Sequence, residues 1–549
     1  MSFNFKPYKN ELIFVPLGGS NEIGMNLNLY CYQGKWIMID MGIGFTDDHL
    51  PGADVIVPDV SFIEDYIGDN LLGLVLTHAH EDHIGAVQYL YDVINCPIYA
   101  TAFTANVLKR KLHNEGVESL HINEVEQGST LNLDPFKLDM IDLTHSIPEM
   151  QAIAITTDAG VVMHTGDWKI DDTPVVGPAP DRKALKKFGD AGVMAIVCDS
   201  TNVFVDGVSG SEADVKEELT KQIMACEQRV VAATFASNLA RLESLILAGA
   251  AAGRKIFMAG RSFERIIGAA KDSGYLKDCP PLFPDKDAMG VPRDECMIIS
   301  TGCQGEPRAA LTRMAQSDHN TIRLAKGDTA IFSSRDIPGN ESRIGYIHNL
   351  LIEMGVNVVT AHEHFIHVSG HPARDELTEM YKMVKPTISV PVHGEARHLI
   401  EHIKLAKELG VPETVKASNG AVILLKEGEA QQIGTVPSGY IAVDGNVLTP
   451  TDSRIFSQRR RMRDDGIIFI ALAMEDNRLI EIPSIIAPGC LDEKEDADVI
   501  KEMSDEIDAA LQDRKAKKPL EQRVRTAVRR IVKAELGKRP LIEIAVLRV

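Results

Sequence analysis

Short alternations of hydrophobic and polar residues, separated by turn residues, run through the first 200 positions and predict β-strands. Two amphipathic stretches, 84–94 and 102–115, predict helices between these strands. Many short strands with few long helices indicate two packed sheets with helices outside them. The predicted strands are 13–17, 27–30, 35–40, 71–76, 137–143, 152–157, 161–164 and 193–198.

The pattern changes near residue 211, where strands and helices begin to alternate. The alternation continues to residue 359 and predicts a parallel α/β unit. A strand at 387–392 and a helix at 395–409 follow, and the segment 434–452 is rich in Gly, Pro, Thr and Ser, which is typical of a linker. In the alternating region we predict strands at 229–234, 255–258, 297–300, 329–333 and 356–360, and helices at 238–252, 261–273 and 341–354.

Residues 466–549 form a separate small unit in this pattern, and its charges are polarised. Residues 491–513 carry ten acidic and two basic side chains, whereas residues 514–549 carry twelve basic and three acidic ones. We interpret these charged faces as solvated helix surfaces together with a contact between subunits. The predicted elements are strands at 467–473 and 541–549 and helices near 496–513 and 520–536, the second with an apolar stripe of Leu520, Val524, Val528 and Ile531.

Composition and charge narrow the class of protein. With 549 residues, 44% hydrophobic and 25% charged, the chain is expected to be globular with two or three cores, which excludes disordered and fibrous classes. A net charge of −20 argues against non-specific coating of nucleic acid but leaves room for a local basic groove. We find no secretory leader, no apolar run of bilayer length and no Cys-x-x-Cys pair among the eight cysteines. We therefore expect a soluble, cytoplasmic protein without a membrane partner.

Three histidines and a carboxylate lie within six residues after an apolar predicted strand. In an extended segment residues two apart point the same way, so His78 and His80 are expected to grip one ion. Asp82 and His83, at the turn into the next helix, are expected to face a second ion. A purely structural role would leave adjacent neutral imidazoles at a strand end without a purpose, so the motif predicts a metal site.

This His-x-His-x-Asp-His motif resembles that of the metallo-β-lactamase superfamily, and later residues supply the family's remaining positions in order. Asp40, at the end of a predicted strand, resembles the aspartate that orients the ligand cluster. His145 resembles the third histidine of the first metal, and Asp167 resembles the bridging carboxylate. Taken alone, each of these three is more often a hydrogen-bonding residue of a loop. Their order and contexts together support the assignment.

The β-CASP branch of this superfamily, whose members act on nucleic acid, has three further motifs that resemble the surroundings of Asp199, His371 and His393. The chain departs from the expected pattern at Cys303 and at 334–336, and neither position belongs to the implied metal site. Segments similar to the bacterial ribonuclease J family are 18–26, 300–307, 337–341, 367–371 and 391–395.

The resemblance implies an α/β fold, namely a metallo-β-lactamase αββα sandwich with an inserted parallel α/β β-CASP domain and a small C-terminal α/β domain. The fold alone does not choose a substrate, because the superfamily includes thioesterases, lactonases and nucleases. The expected boundaries are 1–210 and 360–450 for the two parts of the metallo-β-lactamase domain (the second with the start of the linker), 211–359 for the β-CASP domain, 451–465 for the linker and 466–549 for the C-terminal domain.

The resemblance also implies a catalytic centre with two divalent ions, which acidify a shared water into the hydroxide that attacks a phosphodiester. Imidazole and carboxylate ligands suit zinc, and manganese is tolerated by the same set. The leaving 3′-oxygen needs a proton, for which His371, held by Asp199, is the candidate general acid. The implied ligands are His78, His80 and His145 for one ion and Asp82, His83 and His393 for the other, with Asp167 bridging.

The string His367-Val368-Ser369-Gly370-His371 is a candidate pocket for a 5′-monophosphate, formed by the Ser hydroxyl, a backbone amide made accessible by Gly370 and an imidazole. Such a pocket favours stepwise 5′-to-3′ degradation, and the alternative is a turn that only positions His371. Further candidates are phosphate contacts at Arg241, Arg261 and Arg265, each as readily interpreted as a surface arginine, and a structural calcium site at Asp47, Asp48 and Asp444.

We therefore predict a metal-dependent ribonuclease of RNA processing and decay, a 5′-to-3′ exonuclease with endonuclease activity on single-stranded RNA. We expect a dimer or tetramer formed through the C-terminal domain. One alternative is a metallo-hydrolase of a small ester or thioester, against which the long insertion and the Asp199–His371 pair count. Another is a non-catalytic scaffold of an RNA-decay complex, against which the presence of all seven ligands counts.

Overall fold

The chain folds as two units, each formed from two stretches of sequence. The first comprises Met1–Gly44 and Val57–Gly439, and the second comprises Phe45–Ile56 and Tyr440–Val549. The structure is a computed structural model, which describes residues 3–46, 48–117, 120–475, 478–492, 494–512 and 518–548.

The first unit contains two large sheets whose inner faces share one hydrophobic core. Phe14 and Ile39 of one sheet pack in this core with Ile153 and Val197 of the other. In spatial order, the eight-stranded sheet is Gln431–Thr435, Ala421–Leu425, Leu12–Gly18, Leu27–Tyr32, Lys35–Ile39, Leu71–Val75, Ile98–Ala100 and Ile122–Glu124, and the seven-stranded sheet is Thr130–Leu133, Phe136–Asp142, Gln151–Thr157, Gly160–His164, Ala195–Asp199, Ile388–Val392 and Glu413–Thr414.

Helices cover the outer face of the seven-stranded sheet, where Leu185, Leu377 and Leu405 pack against Ile196. A short parallel pair, Ser20–Asn21 with Gly394–Glu395, lies beside the sheets. The helical segments of this part are Lys6–Tyr8, Ile63–Ile67, Gly68–Asn70, Glu81–Ile84, Val87–Ile94, Ala102–Asn114, Arg182–Ala191, Arg374–Val384 and Ala396–Glu408.

The predicted inserted unit is a six-stranded, all-parallel sheet with its own core. The predicted fold class is therefore confirmed, although the predicted elements did not include the edge strand Leu282–Pro284 or the helices Glu212–Met224 and Ala310–Ala315. In spatial order its strands are Leu282–Pro284, Lys255–Ala259, Cys296–Ser300, Val230–Ala233, Thr329–Phe332 and Asn357–Thr360, and its helical segments are Glu212–Met224, Leu239–Ala251, Arg261–Asp272, Asp285–Gly290, Arg293–Glu295, Ala310–Ala315 and Glu341–Glu353.

The second unit contains a small sheet covered on one face by two helices. The apolar stripe predicted for the second helix is buried, with Val524, Val528 and Ile531 in the core of this sheet. None of the helices in the described part of the chain has the length and apolarity needed to cross a bilayer. The strand Ile467–Glu475 pairs in parallel with Leu541–Arg548 and antiparallel with Arg478–Leu479 and Ser484–Ile486, and the helices are Ala497–Gln512 and Leu520–Glu535.

The segment 434–452, for which the composition predicts a linker, is instead largely strand, so that prediction is wrong. Tyr440–Asp444 and Val447–Pro450 form an antiparallel hairpin. Gly445 has a φ of +61° in the turn, a conformation that glycine adopts without strain, so the turn-rich composition reflects a tight hairpin. The helix Arg454–Asp465 follows it, and the short strands Gly44–Phe45 and Val55–Pro58 bound the other stretch of this unit.

Candidate metal centre and catalytic site

The His-x-His-x-Asp-His motif lies where an extended segment turns into a helix. The strand Leu71–Val75 ends just before the motif, His80 is still extended, and the helix Glu81–Ile84 places Asp82 and His83 in its first turn. The backbone change separates the two pairs of side chains, as the spacing predicts.

The first cluster consists of three imidazoles whose ligand atoms converge. His80 Nδ1 lies 3.1 Å from His78 Nε2 and 3.0 Å from His145 Nε2, and the three atoms lie within 4.8 Å of one another. Burial, with smaller contributions from neighbouring imidazoles, lowers the pKa of His78 and His145 well below the ordinary value. Burial also lowers the pKa of His80 to about 4. The imidazoles are therefore neutral, the form that binds a divalent ion.

The second cluster combines two carboxylates and two imidazoles, all within 4.8 Å of one another. Asp167 Oδ2 lies 3.1 Å from His83 Nε2 and 3.6 Å from His393 Nε2, and Asp82 Oδ2 lies 3.2 Å from His393 Nε2. Burial alone would raise the pKa of Asp167, but His393 and His83, with a smaller contribution from His371, outweigh it and lower that pKa to about 2. The ionised carboxylates attract positive charge, either imidazole protons or a divalent ion that replaces them.

The hydrogen bonds behind the clusters determine which imidazole nitrogen faces inward. His145 Nδ1 donates to Gly370 O (2.6 Å) and His83 Nδ1 donates to Asp40 Oδ2 (2.7 Å), so each presents Nε2 to its cluster. The Thr77 hydroxyl donates to Asp40 and therefore accepts from His78 Nδ1 (3.0 Å). Imidazoles oriented in this way by oxygen acceptors are typical of metal ligands.

His393 follows the same rule, because the Thr201 hydroxyl donates to Asp199 Oδ1 (2.7 Å) and accepts from His393 Nδ1 (2.8 Å). His80 is the exception. Its Nδ1 faces the cluster, and its Nε2 lies 3.3 Å from the Ser146 hydroxyl. This donor set fits a divalent metal site, with four histidines offering Nε2 and one offering Nδ1.

Asp40 lies behind the clusters and is fully buried. Its Oδ1 accepts from the Thr77 backbone N–H (2.8 Å), while its Oδ2 accepts from the Thr77 hydroxyl (2.8 Å) and from His83. These bonds connect the end of the strand Lys35–Ile39 to the metal motif. This is consistent with the orienting role that the resemblance implies for Asp40.

Asp199 and His371 lie together beside the second cluster, with His371 Nδ1 2.8 Å from Asp199 Oδ2 and 3.9 Å from Asp167 Oδ2. Burial alone would lower the pKa of His371, but Asp199 outweighs it and raises that pKa above the ordinary value. The imidazolium form is therefore favoured. The His371 side chain is 23% exposed, whereas Asp199 is fully buried, so the ring can reach a substrate.

The loop of residues 367–371 lies against both centres. The Ser369 hydroxyl accepts from Asn202 Nδ2 (2.8 Å) and from the His371 N–H (3.2 Å). A Cβ on Gly370 would lie 2.6 Å from a ring carbon of His145, so only glycine fits there. His367 Nδ1 lies 3.2 Å from Arg241 Nη1. The Val368 side chain is buried, so this residue would contact a phosphate through its backbone and not through its side chain.

The sequence interpretation missed two supporting residues, Thr201 and Asn202. Thr201 connects Asp199 to His393, and Asn202 holds Ser369 and the His371 carbonyl (3.1 Å). They lie two and three residues after Asp199, so hydroxyl and amide residues close to a motif aspartate were the available signal.

The proposed phosphate role of Arg241 is wrong, because this side chain is fully buried and ion-paired with Glu212 (2.9 Å). Arg241 also donates to the carbonyl oxygens of Ser333 and Ile366 (3.0 Å each). It therefore holds the start of the loop 367–371 in place. Arg265 forms an ion pair with Glu81 (2.9 Å), and Glu81 also pairs with Lys111, so the Arg265 guanidinium already has an anionic partner. Arg261 is exposed, and its suggested phosphate contact stays a prediction.

The suggested calcium ligands do not form a cluster among the described residues. Asp444 accepts from Arg459 (2.8 Å), a cation that already occupies its carboxylate. Asp48 is exposed, and Asp47 lies outside the described residues. Asp48 and Asp444 therefore belong to none of the groups of metal-binding side chains in the described part of the chain.

Four family models match along the chain. They are described as the metallo-beta-lactamase superfamily (residues 26–178), the "Ribonuclease J, beta-CASP domain" (227–351), the "Zn-dependent metallo-hydrolase RNA specificity domain" (355–417) and the "Ribonuclease J C-terminal domain" (455–549). Metal binding and RNA binding by this chain follow from these domains together with the His/Asp clusters.

Curated relatives match over nearly the whole length. A ribonuclease J of Sinorhizobium meliloti is 39% identical over 98% of this chain and 98% of its own length. One of Helicobacter pylori is 32% identical, covering 97% of this chain and 79% of the relative. Ribonuclease J 1 of Streptococcus pyogenes is 35% identical, covering 91% and 90%.

A crystal structure of a protein of unknown function from Enterococcus faecalis aligns with a TM-score of 0.53 at 15% identity, covering 75% of this chain and 100% of that one. It shows similarity of fold alone. The relatives above 30% identity are ribonucleases J, and the matched domains include a metallo-hydrolase domain, which is consistent with the clustered metal ligands described above. The chain therefore belongs to the ribonuclease J family, metal-dependent ribonucleases of the metallo-β-lactamase superfamily.

Proposed function

We propose that the chain degrades single-stranded RNA from a 5′-monophosphate end in the 5′-to-3′ direction and also cleaves RNA internally, using two divalent ions, with zinc as the expected metal and manganese as the alternative. The observation that supports this most is the orientation of the ligand imidazoles by their outer hydrogen bonds. We also propose the domain boundaries 1–210, 211–359, 360–450 and 466–549, whereas the expected linker, 451–465, consists largely of the helix Arg454–Asp465.

The first ion would be held by the three-imidazole cluster and the second by the cluster that contains Asp167. Asp167 belongs to the second cluster and also lies close to Asp199 and His371, which is consistent with a central position. When bound, the two ions would lower the pKa of water and neutralise charge on a phosphodiester. The ligands proposed are His78, His80, His145, Asp82, His83, His393 and Asp167.

His371 is the proposed source of the proton that the leaving 3′-oxygen needs. Asp199 accepts from His371 Nδ1, so Nε2 is the nitrogen free to donate. The partial exposure of the ring and its raised pKa both support this role. Thr201 and Asn202 would act as positioning residues for this pair.

A 5′-phosphate would lie at Ser369 and Gly370. The Ser369 oxygen accepts two hydrogen bonds from the protein, so its own proton remains to be donated to a phosphate oxygen. Gly370 lies directly against His145, so a phosphate bound there would lie next to the metal centre. This closeness suits the release of one nucleotide per cleavage.

Ser369→Ala should weaken the preference for a 5′-monophosphate while internal cleavage continues, because one phosphate contact worth about 1–3 kcal/mol is lost. We expect the wild type to degrade 5′-triphosphate and 5′-hydroxyl RNA more slowly, since the former is bulkier and the latter leaves donors unpaired. The measurement is the exonucleolytic rate on the three ends, with cleavage of circular RNA as the internal reference.

Ser457→Ala, on an exposed helix of the second unit, is the matched control and should retain the preference. Equal rates of the wild type on all three ends would reject a phosphate pocket. The loop 367–371 would then serve only to position His371.

The proposal is tested directly by incubating the metal-loaded protein with a 5′-monophosphorylated RNA, the matching DNA and a thioester. Release of mononucleotides from RNA alone supports the proposed activity. Hydrolysis of the thioester alone would favour the small-ester alternative, and inactivity on every substrate would favour the scaffold.

We also propose that the chain self-associates through its C-terminal domain, with a second copy as the partner. One face of the sheet packs on helices, whereas Phe469, Ile486 and Leu547 on this sheet are 45%, 52% and 63% exposed. The acidic and basic blocks of this domain provide complementary charge for a second copy. An exposed apolar face of this kind is typical of an interface between subunits.

Deletion of residues 466–549 should leave a folded but largely monomeric core, because, among the described residues, the hydrophobic core of this domain is formed only by the deleted segment. Light scattering measures the mass. Phe469→Asp in the full-length chain is the companion variant, since it charges the exposed face without truncation. An oligomer of unaltered stoichiometry in both variants would contradict this role.

A further inference from the structure

A cavity of about 240 Å³ opens in the inserted domain at the carboxyl ends of two parallel strands, Thr329–Phe332 and Asn357–Thr360. It lies outside the metal centre. Its volume is below the roughly 300–1,000 Å³ of most small-molecule sites, so it suits a single nucleobase. Its polar lining comprises Ser334, Arg335, Asp336, His348, Thr360, His362 and His367, and the Asp336 carboxylate lies 3.3 Å from His362 Nε2.

The cavity adjoins the proposed 5′-phosphate site. His367, the first residue of the loop 367–371, lines it. Arg335 donates to Asn202 Oδ1 (3.3 Å), and the amide of Asn202 donates to Ser369. Arg335 thus lies between the cavity and the position proposed for the 5′-phosphate.

Two buried polar atoms of the lining lack ordinary partners. His348 Nε2 is buried and has no hydrogen-bond partner within the described ranges. The Ser334 hydroxyl, on a side chain only 4% exposed, has the Cys303 thiol beside it and no oxygen or nitrogen partner among the described residues. Buried polar atoms of this kind destabilise a fold unless a ligand or water completes them. The Phe332 ring supplies apolar lining and meets the His348 ring edge to face, with centroids 4.3 Å apart and an interplanar angle of 78°.

We propose that this cavity is a subsite for the base of the nucleotide upstream of the 5′-phosphate position, occupied when RNA is cut internally. Arg335 would bind the phosphodiester between the two nucleotides, and His348 and Ser334 would hydrogen-bond the base. A chain degraded from its 5′ end has no such nucleotide, so the cavity serves only internal cleavage. This inference rests on the proposed function.

The first test fills the cavity with Ala361→Leu, since Ala361 lines it and is only partly buried. We expect about a tenfold loss of cleavage of circular RNA, comparable with the loss of one stacked base. Degradation of linear 5′-monophosphate RNA should be unaltered. Ala325→Leu, at an exposed alanine outside the cavity, is the matched control. Equal loss on both RNAs, or no loss on circular RNA, would overturn the subsite.

The second test removes the cation with Arg335→Gln, using Lys286→Gln, an exposed cation outside the cavity, as the control. A greater loss on circular RNA than on linear 5′-monophosphate RNA supports an upstream phosphodiester, and an equal loss on both would overturn the subsite. Loss confined to 5′-triphosphate RNA would instead assign Arg335 to terminal phosphates and overturn the subsite.

The wild-type rates distinguish this inference from the function on which it rests. No degradation of linear RNA would reject the proposed function. Degradation of linear RNA without cleavage of circular RNA would leave the exonuclease intact and reject the upstream subsite.

Discussion

Replacing His80 or Asp167 with alanine is expected to abolish RNA cleavage and to release bound divalent metal. His80 Nδ1 lies within about 3 Å of both other imidazoles of its cluster, so its loss opens the cluster at its centre. Asp167 belongs to two of the groups of possible ligands, so its removal affects the second metal position and the surroundings of His371.

The expected loss is large, because removing even a residue that orients a ligand typically costs about 10–100-fold in metal affinity or activity. Metal content is measured on purified protein by mass spectrometry, independently of activity. Thermal unfolding with and without added zinc gives a second readout, because an ion that binds only the folded state stabilises it.

Two exposed residues provide matched controls, His121→Ala for the histidine and Asp158→Ala for the aspartate. Both should retain metal and activity. Full metal content and full activity in His80→Ala and Asp167→Ala would refute the site, whereas loss of activity with full metal content would remove these residues from the ligand set.

The metal motif was predictable because its information is local. His78, His80, Asp82 and His83 lie within six residues, and the change from extended segment to helix that separates them is encoded by the same residues. Only the resemblance predicted the remaining ligands, His145, Asp167 and His393. No local sequence pattern shows that three strand ends far apart in the chain come together in the fold. The parallel sheet of the inserted domain was also predictable from local pattern, since its strands and helices alternate regularly along the chain.

Contacts across distant segments were not predictable from local pattern. Arg241 reads as a surface cation, yet its guanidinium is buried because Glu212, on a different helix, neutralises it. Thr201 and Asn202 gain importance from partners about 170–190 positions away along the chain. The hairpin formed by Tyr440–Asp444 and Val447–Pro450 has the composition of a linker, because its strands are short and turn-forming residues make up much of the segment.

His371→Ala should retain its metal while the cleavage rate falls by about 10²–10⁴-fold, the usual contribution of general acid–base catalysis. His371 contacts Asp199 at 2.8 Å and is 23% exposed, and its replacement leaves all seven proposed metal ligands in place. The defect should therefore appear in the chemical step at saturating RNA. His121→Ala serves again as the surface control.

A change of leaving group separates proton donation from simple positioning. An RNA with a bridging 3′-sulfur at the scissile bond departs as a thiolate, which needs little protonation because thiols are far more acidic than alcohols. If His371 protonates the leaving oxygen, His371→Ala should cleave the sulfur-containing RNA at nearly the wild-type rate while remaining defective on normal RNA. An equal defect on both substrates would mean that His371 positions RNA instead, and unaltered turnover of normal RNA would remove it from the mechanism altogether.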